Sequence, residues 1–232
     1  MGNSRLKNSA LNFASGFLGR VLTILLSFAV RTIFIHCLNE AYLSVNGLYS
    51  NILTVLSLAE LGFGSAMVYR MYAPVAVKDY QQTAALLHFY KKIYAIIGAV
   101  IFGLGLCVIP FMDYIIKDKP DVSGLTLYYI LFLINTTLSY WFASYKASVL
   151  YADQKEYIKT NVQNATSILQ SALQIVLLII FRKYLLYLLV QLGCNIILNL
   201  YVAHLVDKRY PQIREYRDAR LTSDERGQIK KD

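Results

Sequence analysis

The chain has 232 residues, 56% of them hydrophobic and only 16% charged, where soluble domains carry roughly 25% charged residues. With a mean hydropathy of +0.44, it has more apolar surface than a soluble core of this size can hide, whereas a bilayer absorbs it in spans of about 20 residues. Secreted disulfide modules, disordered tails and collagen-like fibres are excluded on the same grounds. The net charge of +9 lies between apolar runs rather than on one basic face, so the expected partners are membrane lipids with anionic headgroups and not nucleic acid.

Taken in chain order, six stretches have spanning length: residues 21–38, 47–68, 93–116, 125–145, 165–181 and 184–206. The first runs into Cys37-Leu38-Asn39-Glu40 without a small-residue cleavage site, so it is expected to stay as an uncleaved anchor. Backbone groups in hydrocarbon must be satisfied within the segment, and none of these stretches alternates like a barrel strand. The expectation is an all-α polytopic membrane protein, a six-transmembrane-helix bundle over residues 1–206. Pro110 should kink the third span, with Asp113 beyond it near the outer surface. The short Arg182-Lys183 connection makes the last two helices a tight hairpin.

Basic residues orient this bundle. With the amino terminus inside, the inner segments hold Arg5, Lys7 and Arg20, then Arg70, Lys78, Lys91 and Lys92, then Lys146, Lys155 and Lys159, then eight more after Val206. The outer loops hold only Lys117, Lys119, Arg182 and Lys183. Eighteen against four is the asymmetry of the positive-inside rule, which puts both termini in the cytoplasm and the chain in the cell membrane. Tyrosines near span ends, among them Tyr72, Tyr94, Tyr151, Tyr157 and Tyr184, suit the interfacial belt. Residues 207–232 read as a charged cytoplasmic tail after the Pro211 break, and Thr222-Ser223-Asp224-Glu225 has the capping-box pattern of a helix start.

Little in the chain suggests enzyme chemistry. Cys37, Cys107 and Cys194 stand singly, and His36, His88 and His204 lack the spacing of paired ligands on one helix face, so neither a metal site nor a cofactor is expected. No nucleophile elbow, phosphate-cradling glycine loop or paired carboxylates occur. The informative residues are two charges inside spans. Arg31 lies eleven residues after Arg20, and Glu60 ten residues before Arg70. In continuous helices rising 1.5 Å per residue both would lie about 15 Å deep, so they could pair across the first two helices. Such charges are costly in hydrocarbon and must face the bundle interior or a wet cavity. They are the candidate substrate-binding residues, with a purely structural ion pair as the alternative. The run from Leu58 to Ala66 is rich in small residues, and Gly62, Gly64 and Ser65 with Asn51 are expected to line a pathway or pack helices closely. Asn8, Asn12, Asn46, Asn135, Asn164 and Gln170 add further polar groups in or near the spans.

The stretch SVNGLYSNILTVLSLAELGFGSAMVYRMYAPVAVKDY, followed by HFYKKIY, resembles the amino-terminal part of bacterial polysaccharide flippases of the multidrug/oligosaccharidyl-lipid/polysaccharide exporter superfamily. The segments RTIFIHCLNEAYLSVNG, SYKASVLYADQKEYI and the tail with KRYP and DERGQIKKD agree in order along the chain. A departure is Cys37-Leu38-Asn39, where such proteins often read Leu-Gly before the acidic residue. The resemblance implies one six-helix lobe of a two-lobed transporter that moves an undecaprenyl-pyrophosphate-type glycolipid between leaflets. A second lobe or a homodimer partner would complete the cavity. Arg31 would neutralise the pyrophosphate, with Glu60 orienting Arg31 or releasing it on ligand entry. The alternatives are a drug/cation antiporter of the same superfamily, with Glu60 as coupling carboxylate, and a non-transporting membrane interaction subunit.

Overall fold

The computed structural model describes residues 2–60, 63–115, 124–142, 144–216 and 218–222. Gly62, Lys117, Lys119 and the capping box beyond Thr222 lie outside them, as does the side chain of Asp113. Among the described residues every regular element is helical. In chain order these are α1 (Gly2–Cys37), α2 (Glu40–Ser57), α3 (Phe63–Ala76), α4 (Tyr80–Val108), α5 (Met112–Ile115), α6 (Leu125–Trp141), α7 (Ala147–Ala152), α8 (Glu156–Phe181) and α9 (Tyr184–Arg209), with short 3₁₀ turns between some of them.

Among the described residues four helices are long and apolar enough to cross a membrane: α1, α4 with the turn after it, α8 and α9. A fifth crossing results if α6 and the segment Ser144–Ala152, bent by 43° to each other, count as one broken span. These features describe a membrane-embedded, multi-pass protein. The expected span at 47–68 is not one helix: α2 ends at Ser57, a 3₁₀ turn covers Leu58–Glu60, and helix resumes at Phe63. At Pro110 α4 gives way to a 3₁₀ turn over Ile109–Phe111. Two helices start well before the apolar runs they contain. α1 begins at Gly2 and α8 at Glu156, and Asn12 of α1 accepts from the amide of Tyr157 in the first turn of α8.

Local chemistry explains the ends. Asn39, at φ 123°, accepts hydrogen bonds from the amides of Ala41 and Tyr42 and so caps α2. Asp79 caps α4 through the amide of Gln82 at 2.9 Å. Arg182 takes the left-handed conformation that turns α8 into α9.

The helices pack around two apolar clusters, one at each end of the bundle. One gathers Tyr49, Tyr129, Leu133, Leu178 and Tyr184. The other gathers Met71, Tyr90, Val149, Leu150 and Val206. The elements carrying Arg70, Lys78, Lys91, Lys146, Lys155 and Lys208 all belong to the second cluster, so the basic segments collect at one end. The amino-terminal part of α1 joins them, because Asn12 bonds the carbonyl of Gln154 and the amide of Tyr157. The segment after α9 folds back onto this end as well. Leu221 is buried, Ile213 and Ala219 pack beside it, and the ring of His88 contacts the Ala219 carbonyl. Up to residue 222 the charged tail is therefore docked rather than free.

On α1, Leu6, Phe13, Phe17, Ile24 and Phe28 are exposed on the face opposite Asn12, Gly19 and Val30, which pack against α8 or the interior. An apolar outside around a partly polar inside is the arrangement a lipid solvent selects.

Candidate functional site

Polar residues inside the bundle converge on a cavity of about 340 Å³ bounded by α1, α2, α8 and α9. α1 contributes Thr23, Ser27 and Arg31, α2 contributes Asn46, and α8 contributes Ser167, Gln170, Ser171 and Gln174. The four α8 residues recur at spacings of three, one and three, which is one stripe of a helix whose other faces are apolar. The stripe is a built feature. Gln174 is buried and donates to the Tyr187 carbonyl at 3.3 Å, and Asn46 accepts from the Tyr184 hydroxyl at 3.1 Å. Aromatic rings close the cavity at the end away from the basic cluster: Phe34 lies 5.1 Å from Tyr187 and 5.7 Å from Tyr184, edge to face.

Arg31 lines this cavity and stays exposed to it. It lies six residues before the end of α1, about 9 Å along the axis. No aspartate or glutamate is among the lining residues. Among the described residues Lys146 pairs with Asp207 at 2.6 Å and Lys155 with Asp153, both at the basic end. Arg31 thus presents an uncompensated guanidinium among neutral donors and acceptors. Guanidinium is a planar fork of donors matched to phosphate and carboxylate oxygens.

The structure does not bring Glu60 to Arg31. Glu60 follows the end of α2 and accepts the Tyr140 hydroxyl at 2.6 Å, while the Tyr140 ring stacks on Tyr94 with centroids 6.1 Å apart. The depth match assumed that Glu60 and Arg70 share a continuous α-helix, whereas Glu60 lies in a 3₁₀ turn after α2 and Arg70 in α3. Of the other expected pathway residues, Gly64 and Ser65 line a second cavity of about 950 Å³ at the basic end, and Asn51 is exposed on α2 in neither cavity.

No protein-family model, curated protein or solved structure matches the chain. The site is therefore read from its own chemistry.

Sequence reasoning picked out Arg31, Asn46 and Gln170 but missed Thr23, Ser27, Ser167, Ser171 and Gln174. The α8 stripe was readable from its helical spacing. Its convergence with α1 was not, since nothing local says which face of α8 meets which face of α1. Among the described residues no three histidine, cysteine, aspartate or glutamate side chains gather. The three cysteines are free thiols.

Proposed function

We propose that this chain is a transporter lobe that binds a pyrophosphate-linked glycolipid and serves its passage across the cytoplasmic membrane, acting with a second lobe or a second copy. The observation that carries the reading is Arg31 in a polar cavity whose lining includes no carboxylate. A cation so placed is stabilised by an entering anion, and a diphosphate offers paired oxygens for its bidentate geometry. The apolar exterior suits a ligand that arrives from the bilayer. In this reading the six crossings are α1, the broken α2–α3 pair, α4, the bent α6–α7 pair, α8 and α9. The basic end then faces the cytoplasm.

The test is binding of farnesyl diphosphate, a soluble prenyl diphosphate, to the full chain in lipid nanodiscs. Arg31→Gln is expected to weaken binding at least tenfold, about 1.4 kcal/mol or more. Arg31→Lys should restore only part of it, because an ammonium lacks the fork. Since no carboxylate lines this cavity, Arg31→Gln strands no buried anion there, so a well-folded variant that binds normally rejects the proposal.

One observation favours the antiporter reading. Glu60 is a carboxylate at a break between helices, held by a tyrosine hydroxyl with no cation paired to it in the described residues. Discontinuous helices are where transporters site coupling ions. Saturable binding of an organic cation that is lost in Glu60→Gln, together with failure to bind the diphosphate, selects that reading.

A further inference from the structure

The larger cavity, at the basic end, has the opposite chemistry. About 950 Å³ in volume, it is lined by the start of α1, by α3, by Tyr94 of α4, by α7 and the turn before it, and by the chain into α8. Its lining has four tyrosines, Tyr69, Tyr72, Tyr94 and Tyr151, and a dense set of hydroxyl and amide groups that includes Ser9, Asn12, Ser144, Ser148 and Gln154. Among the described residues its lining has a single carboxylate, Glu156, and no lysine or arginine. The cation tied to it is Lys159, whose ammonium donates to the Tyr151 hydroxyl at 2.7 Å. Tyr69 and Tyr72 are 76% and 43% exposed, so their rings are open to a ligand rather than committed to the core.

We propose that this second cavity is a carbohydrate site that takes an uncharged oligosaccharide. A sugar ring presents an apolar C–H face and an equatorial belt of hydroxyls. Tyrosine meets both demands, with a rigid ring face for the first and a hydroxyl for the second. Serine, asparagine and glutamine supply the remaining donors and acceptors without charge. The lining explains why the other small-molecule classes fit less well. An anion would meet Glu156 and no lining cation. A quaternary ammonium needs a close aromatic cage rather than a volume near the upper end of the ~300–1,000 Å³ range of ligand pockets. The size admits an oligosaccharide rather than one sugar.

The chemistry of the site is independent of the diphosphate cavity. Only the identity of the physiological ligand, the glycan of a lipid-linked carrier, rests on the function proposed above. Asn12 and Arg31 are nineteen residues apart on α1, roughly 28 Å along its axis. The two cavities therefore bind different parts of a ligand, or the same ligand at different stages, and not one phosphate–sugar junction.

The experiment uses the full chain in nanodiscs and the trimer of N-acetylglucosamine as probe, read by saturation transfer from protein to sugar protons. Wild type is expected to give saturable transfer centred on ring C–H protons. Tyr69→Ala and Tyr72→Ala should each weaken binding at least fivefold. Both residues are exposed, so their loss leaves the core packed, and Tyr201→Ala, half-exposed on α9 outside the cavity, should bind as wild type does. Absence of saturable transfer to wild type overturns the proposal, as does transfer indifferent to both tyrosines. So does displacement of the trimer by tetramethylammonium with loss of that displacement in Glu156→Gln, which makes the cavity an organic-cation site. Farnesyl diphosphate binding separates the two readings. If the trimer binds and Arg31→Gln leaves diphosphate affinity unchanged, the diphosphate site fails and the carbohydrate site stands; the reverse pattern fails the carbohydrate site alone.

Discussion

The two cavities of this bundle were built from similar residue types, yet they differ in the sign of their one charge. The cavity between α1, α2 and α8 has a guanidinium and no carboxylate; the cavity between α1, α3 and α7 has a carboxylate, four tyrosines and no cation. Serine, asparagine and glutamine line both. Neutral amides and hydroxyls wet both cavities, and what distinguishes the two is the charged group together with the tyrosines that only the larger one gathers. The difference teaches that polarity alone says little about what a membrane cavity binds.

Reversing the sign is the strongest way to break this comparison. Arg31→Glu should abolish farnesyl diphosphate binding, by roughly a hundredfold or more as a bidentate attraction becomes repulsion. Titration in nanodiscs checks it, and trimer binding at the other cavity should stay as in wild type. A smaller effect is expected from the seam between α4 and α6. At Gly98 an added Cβ would lie 2.7 Å from the Trp141 indole nitrogen and 2.9 Å from the Cβ of Tyr140. Gly98→Ala is expected to cost about 1–3 kcal/mol in thermal unfolding. Because Tyr140 holds Glu60 and stacks on Tyr94, a residue of the larger cavity, the same substitution should weaken sugar binding and spare the diphosphate.

The docked tail offers a gentler probe. Tyr210 donates its hydroxyl to Asp153, and burial, then that hydrogen bond and the carboxylate's charge, push its pKa above the ordinary 10.0. The folded state favours the neutral hydroxyl. Its contribution is complete below about pH 10 and is lost as the pH rises above that value towards the raised pKa. Tyr210→Phe should cost about 1 kcal/mol at pH 8 and show a shallower loss of stability in alkali than wild type, read by unfolding midpoints. The smallest expected effect is at Glu60. Glu60→Gln keeps an acceptor for Tyr140, and since Glu60 does not pair with Arg31, diphosphate affinity should stay within about twofold of wild type. A large loss would mean that the two charges do communicate.

What could be read without coordinates follows the range of the interactions involved. The helical class, the hairpin at Arg182-Lys183 and the extents of α6 and α9 were legible, because apolar run length and turn residues act within a few positions of themselves. The 3₁₀ turn inside the second expected span was not legible. A stretch of sufficient apolarity gives no warning that its helix stops at Ser57, and the polar and small residues within it lower the cost of the break. The long amino-terminal extension of α1 was equally hidden, since its helicity depends on Asn12 and Gly19 meeting α8.

By itself the sequence determined that the chain is helical and membrane-embedded, that its basic segments alternate with its apolar ones, and that Arg31 and Glu60 are charges in an unusual setting. These are properties of composition and local period, which the chain states residue by residue. Tertiary structure alone decided that Arg31 faces the α8 polar stripe, that Glu60 belongs to Tyr140, and that tyrosines far apart in the chain share one cavity. Each depends on how helices rotate and break against one another. A single break in a helix changes both the depth and the facing of every residue beyond it, so no count along the chain could have foretold the partners.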